Sequence, residues 1–341
     1  MKKIAALLLG VLMIFSLVAC GASKEDETAL KPNGPEEGAV EVADDVVYKI
    51  GIVQLVQHEA LDRATQGFMD GLSKELGTKH LEFNVQNAQG DSATCATIVN
   101  SFVADKVDLI LANATPALQA AATGTEGTDI PVLGTSITDY GAALEIKDFN
   151  GTVGGNISGT SDLAPLDKQA EMVLQLCPDA KTVGILYCSA EANSVFQADQ
   201  VEACLKEKGI TVQRYTFADS NDVATVTASA CSECDALYVP TDNTAASCGE
   251  VIHNTASGSG VPIVVGEVSE CKIFGIATLS IDYYKIGEQA GKMAAQILTG
   301  EADISEMEIA YDPDPVKMYN PEICEELGIE VPDDYQAVEL D

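Results

Sequence analysis

From Tyr48 onward, short β-branched or aliphatic runs alternate with amphipathic stretches of helical period. Few folds accept that alternation, because each run is apolar enough to be buried on both faces of a parallel sheet with helices covering it. The expected strands are Lys49–Leu55, Leu81–Gln86, Leu109–Ala112, Val132–Gly134, Thr182–Tyr187, Thr211–Thr216, Ala236–Val239, Ile263–Val265 and Gly275–Leu279. Between them, Ala60–Leu76 sets Leu61, Ala64, Phe68, Leu72 and Leu76 on one helical face, and Tyr284–Leu298 does the same with Ile286, Ala290, Met293 and Ile297. Gly77, Gly209 and Gly300 fall just past helices, where a left-handed cap is wanted.

Two strand-helix series are visible, one before about Gly159 and one after it, each large enough for a doubly wound domain. The expected fold class is therefore α/β, with two doubly wound parallel-sheet lobes joined by a multi-strand hinge. Cys271–Leu298 supplies one further strand and helix and is assigned back to lobe one. Lobe one then comprises residues 48–159 and 270–304, and lobe two residues 160–269 and 305–335. In such sheets ligands bind outside the strand C-termini, which both lobes point at the gap between them.

Reading only the residues after each strand gives a chemically uniform set. Lobe one offers Gln54, Val56 and His58, then Asn113, Ala114 and Thr115, then Ser136, Thr138 and Asp139. Lobe two offers Glu191, Asn193 and Ser194, then Thr241, Asp242 and Asn243, then Glu267. Hydroxyls, amides and a few carboxylates orient a small polar molecule without reacting with it. The same residue types are preferred helix N-caps, and the two uses are compatible where a helix-start N–H is left for an anionic ligand group.

The ends of the chain carry a different message. Met1-Lys2-Lys3, the apolar run Ile4–Ala19 and Leu17-Val18-Ala19-Cys20 form an export leader, residues 1–19, that resembles a bacterial lipobox ending at Cys20, the expected lipidated residue. The run is short for a span, which needs about 20 apolar residues. Residues 20–47 hold eight acids against Lys24 and Lys31, and are expected to be a self-repelling flexible tether. Across all 341 residues, 53 Asp and Glu outweigh 19 Lys and Arg, for a formal charge of −34. That excludes a nucleic-acid partner and a polybasic grip on anionic lipid, leaving the lipid anchor as the expected membrane contact.

Several blocks together resemble bacterial ABC-transporter substrate-binding lipoproteins of the tryptophan/tyrosine-uptake type. They are Gly51-Ile52-Val53-Gln54, Ala60-Leu61-Asp62, Gly67–Leu72, Ala114-Thr115-Pro116-Ala117, Asn156–Asp162, Glu191-Ala192-Asn193-Ser194, Tyr238–Thr244 and Ile281-Asp282-Tyr283-Tyr284. The likeness spans about Tyr48 to Pro332. It implies a type I periplasmic-binding-protein fold, monomeric, that closes on a small amino-acid-like ligand, with an aromatic amino acid the best guess. It also implies delivery to permease subunits served by a separate ATPase, and adds Ser161, Asp162 and Asp282 to the binding candidates. For an α-amino acid, Asn113–Thr115 and Asn193-Ser194 would take the carboxylate. Asp242, Asp282 or Glu191 would pair with the ammonium, while Gln54, Val56 and His58 would contact the side chain. Two departures, Gln57-His58-Glu59 for Glu-His-Pro and Phe274-Gly275-Ile276-Ala277 for Gly-Ala-Leu-Ala, are expected near the cleft.

No catalytic constellation emerges from the residues. Gly287–Met293 looks like a phosphate loop but is one residue short, lacks the final Ser/Thr and sits inside a helix. Cys231-x-x-Cys234 with Cys248 and His253 has a zinc-like spacing, yet Cys234 and Cys248 belong to opposite ends of one strand. No metal, cofactor or enzymatic activity is expected. The alternatives are a ligand-sensing accessory of a membrane receptor, a receptor of the same class for a non-amino-acid ligand such as a nucleoside, and an exported enzyme.

Overall fold

The structure is a computed structural model that describes residues 30–312 and 314–340. The leader and Cys20 lie outside the described residues. The strands are β1 (Tyr48–Gln54), β2 (Leu81–Asn87), β3 (Leu109–Asn113), β4 (Val132–Ile137), β5 (Ile157–Ser161), β6 (Thr182–Cys188) and β7 (Thr211–Phe217), followed by β8 (Ala236–Val239), β9 (Ile263–Val265), β10 (Ala277–Ser280), β11 (Ala310–Tyr311), β12 (Val316–Tyr319) and β13 (Gln336–Ala337). The helices are α1 (Glu59–Leu76), α2 (Ser92–Asp105), α3 (Thr115–Gly124), α4 (Tyr140–Ala143), α5 (Leu166–Leu176) and α6 (Ala192–Glu207), then α7 (Val223–Glu233), α8 (Asn243–Ser247), α9 (Gly249–Ala256), α10 (Val268–Ile273), α11 (Tyr283–Leu298) and α12 (Pro321–Leu327).

One sheet runs β11-β5-β4-β3-β1-β2, and the other β13-β12-β10-β9-β8-β6-β7. The order 2-1-3-4-5 is thus repeated in β2-β1-β3-β4-β5 and β7-β6-β8-β9-β10, all parallel. This doubly wound order sends helices to both faces and leaves the strand C-termini free. Ile50, Ile52, Leu109, Ile110 and Leu111 are wholly buried, as are Val183, Ile185, Leu237 and Val264 in the second sheet. Strands apolar on both faces were for that reason the most visible in the sequence.

The chain passes between lobes three times: at residues 162–165, at 281–282 and at 312–315. This corrects two boundaries. The strand assigned to lobe one at Gly275–Leu279 is β10, which pairs with β9 and, antiparallel, with β12 in the second sheet. Only α11 returns to pack on α1. Conversely, β11 lies in the stretch assigned to lobe two but pairs with β5 in the first sheet. A strand and the helix after it ordinarily share a lobe; here the second crossover separates them.

The α1–α11 contact rests on two Gly-x-x-x-Gly pairs, Gly67/Gly71 and Gly287/Gly291. A Cβ on Gly67 would stand 2.1 Å from the Tyr284 carbonyl oxygen, and one on Gly287 2.1 Å from that of Ala64. The helices touch backbone to backbone, and this is the use of the glycines that mimicked a phosphate loop.

Residues 31–46 differ from expectation as well. They are strapped to lobe one by backbone bonds from Ala39 N–H to Lys74 O (3.0 Å), Val40 N–H to Glu75 O (2.8 Å) and Thr78 N–H to Pro35 O (2.9 Å). Asn33 N–H donates to Asp70 Oδ1 (2.6 Å), and Val46 O accepts from His80 Nδ1 (2.7 Å). The acids do not prevent this because the strap binds through its backbone, to carbonyls that the last turn of α1 leaves unpaired, and because Lys79 faces Glu37 and Asp44. At about 1 kcal/mol net per bond, deleting residues 31–46 is expected to lower the melting temperature by several degrees. A detached spacer would leave calorimetric traces unchanged. Among the described residues no helix is long and apolar enough to cross a membrane.

Candidate ligand site between the lobes

Both sheets present their C-terminal edges to the same cleft, and the lobes touch across it. His58 Nε2 on lobe one lies 3.4 Å from Asn243 Oδ1 on lobe two, and Lys272 Nζ lies 2.6 Å from Glu59 Oε1. A space of about 170 Å³ opens between Val56, Gly90 and Pro116 on one side and Cys188, Glu191 and Asn243 on the other.

On lobe one the backbone itself is strained at the cleft. Ala114 has φ 90° and ψ 156°, a region almost reserved for glycine, and Ser136 has φ 56°. Each costs on the order of 1–3 kcal/mol, and such strain clusters where a ligand is bound. Ala114 immediately precedes α3, so the first-turn N–H groups of that helix face the cleft with the positive end of its dipole. The buried hydroxyls of Thr115 and Ser136 have no hydrogen-bond partner. An Nε2–H tautomer of His58 donates to Asn243 and leaves Nδ1 an unpartnered acceptor.

Other candidates are consumed within the protein. Gln54 Nε2 donates to Val56 O and Asp62 Oδ1 while its Oε1 accepts from Thr65 Oγ1, so Gln54 shapes the loop after β1 and contacts no cleft. Asn113 Nδ2 donates to Leu61 O and Thr65 Oγ1, while its buried Oδ1 is left without a partner. Asp139 caps α4 through the Ala142 N–H. Ser161 Oγ donates to Thr138 O and accepts from Leu163 N–H, bracing the first crossover.

On lobe two Glu191 is the organiser. Its Oε1 accepts from the N–H and hydroxyl of Thr244 (2.9 and 2.8 Å). Its Oε2 accepts from Asn243 N–H, Asn243 Nδ2 and Asn193 Nδ2 (3.1, 2.7 and 3.2 Å). Asn193 Nδ2 also reaches Ser194 Oγ and Thr241 O, and its Oδ1 is left without a partner. Asp242 caps α8 at Ala245 N–H and accepts from Cys188 N–H. Burial first, and then the Glu191 charge, raise the Asp242 carboxyl well above its usual range. Glu267 caps α10, accepting from Ser269 N–H, the Ser269 hydroxyl and Glu270 N–H.

Asp282 lines a second space between the lobes, of about 350 Å³, with Glu59 and Arg63 on one side and Ser269 and Lys272 on the other. It caps α11 and faces Arg63 (3.7 Å) and Lys285 (3.6 Å) on the hinge side. The Phe274–Ala277 departure is misplaced by the sequence reading, since it leads into the first residue of β10 and so sits at the end of that sheet away from the cleft. Phe274 is instead buried with Val265 and Ile263 in the core of lobe two.

The sequence reading missed Tyr283 and Glu270. Tyr283 O–H donates to Asp162 Oδ2 at 3.0 Å and ties the first crossover to the second. Burial lifts the Asp162 carboxyl to about 6, opposed by the hydroxyls of Thr138 and Tyr283. Its Oδ1 has no partner. Glu270 is fully buried with both oxygens unpartnered, and burial pushes its carboxyl well above the usual range. Tyr283 stands in the quoted Ile281–Tyr284 block, but an aromatic at a helix start reads as core; Glu270 reads as one more first-turn acid.

All nine described cysteines are free thiols. No group of His, Cys, Asp and Glu able to hold a metal occurs among the described residues.

A family model described as ABC transporter substrate binding protein matches residues 49–338. The chain is 34% identical over 327 residues to the tyrosine-binding protein of Clostridioides difficile strain R20291, covering 93% of this chain and 92% of the relative. It is similar to a crystal structure of an ABC domain in complex with L-Trp from Streptococcus pneumoniae, with 32% identity, a TM-score of 0.81, and coverage of 86% of this chain and 100% of that one. Against the ligand-free, open structure of a substrate-binding protein with adhesive properties from Clostridium difficile, identity is 35% at the same coverage but the TM-score is 0.65. Identity alone would rank these two the other way. The lobes here therefore stand nearer the arrangement of the L-Trp complex than the open one, in keeping with the contacts across the cleft. By its sequence, its paired lobes and its polar cleft, this chain belongs to the ABC transporter substrate-binding protein family.

Proposed function

We propose that the chain is the extracytoplasmic receptor of an importer for an aromatic α-amino acid, held to the membrane by lipid on Cys20 and handing its ligand to permease subunits. The observation that carries the reading is the set of buried, unpartnered polar atoms where the two sheet edges meet: His58 Nδ1, Asn113 Oδ1, Thr115 Oγ1, Ser136 Oγ, Asp162 Oδ1 and Asn193 Oδ1. Leaving such groups unsatisfied costs on the order of 1–3 kcal/mol each, so closure is favoured by a molecule that supplies both donors and acceptors. The start of α3, with its strained Ala114, suits a carboxylate. Five buried carboxyls, Asp162, Glu191, Asp242, Glu267 and Glu270, suit an ammonium, since no Lys or Arg is buried among the described residues. The tyrosine-binding relative and the L-Trp complex support an aromatic side chain.

Thermal shift against Tyr, Trp, Phe, aliphatic amino acids and nucleosides tests this. A true ligand at 100 times its Kd stabilises by about 2.7 kcal/mol, enough to raise the melt by several degrees. A response confined to nucleosides, or none to Tyr, Trp and Phe, defeats the aromatic assignment.

A further inference from the structure

The buried carboxyls can be told apart by where their oxygens are engaged. Glu191 accepts five donors from Asn193, Asn243 and Thr244. Asp242 and Glu267 are held by the N-terminal N–H groups of α8 and α10. Asp282, the remaining candidate for an ammonium, is on the hinge side with Arg63 and Lys285. Thus each ammonium partner expected from sequence already serves the fold.

Asp162 is different. It is 5% exposed and follows β5 at the C-terminal edge of the first sheet, its N–H bonded to Ile137 O of the neighbouring strand β4. Tyr283 fixes Oδ2, and Oδ1 is left without a partner at the same sheet edge as Ser136. Glu270 also has unpartnered oxygens, but it lies within α10 and is completely buried, with no exposed edge toward the cleft.

We propose that Asp162 Oδ1 receives the ammonium of the ligand, and that Tyr283 positions the carboxylate for it. The assignment rests on the amino-acid reading above and refines it. Because Asp162 lies in the first crossover and Tyr283 opens the helix after the second, the ammonium would be read at the hinge, where both lobes meet.

The test compares L-tyrosine and L-tryptophan with their des-amino analogues, 3-(4-hydroxyphenyl)propionate and indole-3-propionate, by calorimetric titration. Wild-type protein is expected to prefer the amine by on the order of 100-fold, the scale of a charge-assisted hydrogen bond. Asp162→Asn should reduce that preference to under about tenfold while leaving the des-amino affinity within about threefold. Tyr283→Phe should fall between, with Asp162→Ser as a second variant should the first fail to fold. An undiminished preference in Asp162→Asn or Asp162→Ser overturns the assignment alone. Absence of amino-acid binding by wild-type protein overturns the amino-acid reading, and this assignment with it.

Discussion

Gly287→Ala is expected to destabilise the protein by about 3 kcal/mol, at the upper end of what overpacking costs. The added Cβ would meet the Ala64 carbonyl oxygen at 2.1 Å and the Ala64 carbonyl carbon at 2.9 Å, all backbone of a helix that cannot rotate out of the way. Gly67→Ala meets the mirrored obstacle at Tyr284 O, and Gly291→Ala meets Phe68 O at 2.5 Å and Leu72 N at 2.6 Å. Each single variant should lower the denaturant midpoint. Gly300→Ala is a milder comparison, since its Cβ meets nothing within 4 Å and only its φ of 74° is strained. If Gly287→Ala unfolds no more easily than Gly300→Ala, the close crossing of α1 and α11 is wrong. The crossing matters to function because α1 and α11 begin at Glu59 and Tyr283, beside the cleft and the hinge.

Glu191→Ala is expected to cost about 3 kcal/mol of stability and at least 100-fold in ligand affinity. Removing this carboxylate takes an acceptor from four N–H groups and the hydroxyl of Thr244 in a buried site, and frees Asn193 and Asn243 on lobe two of the cleft. Relief of repulsion with Asp242 recovers only part of the loss. Glu191→Gln should be nearly as damaging, because an amide offers a single acceptor oxygen and turns its own NH₂ toward donors. With either variant the Asp242 carboxyl should titrate nearer its usual range, since the Glu191 charge is one cause of its elevation after burial. Full affinity in Glu191→Gln, measured by titration, would show that the carboxylate does not organise the site.

The lobes were legible in the sequence wherever a strand is buried on both faces, as in Val183–Leu186 and Leu109–Leu111. The strand Ile157–Ser161 was not, because it reads Ile-Ser-Gly-Thr-Ser. Its hydroxyls are matched only by residues far along the chain: Thr160 with Thr135 Oγ1, and Ser158 with Met307 O. The edge strands at 316–319 and 336–337 are short and partly exposed, so no apolar pattern marks them. For the site, the rule that ligands lie beyond strand C-termini found Thr115, Ser136, Asn193 and Asn243. It could not separate Glu191 and Asp242, whose oxygens hold the fold, from Asp162, whose Oδ1 is unpartnered; that distinction is made by bonds between residues 50 or more apart.

The strap at residues 31–46 grips the C-terminal turn of α1, at the end of lobe one remote from the cleft. A pull exerted upstream of residue 31 would therefore be delivered to lobe one as a mount, and lobe two, continuous with it through three short connections, is expected to be the moving jaw. A reporter dye on α6 or α9 should sweep a wide arc as the jaw swings, whereas one on α2 should stay still relative to the mounting point.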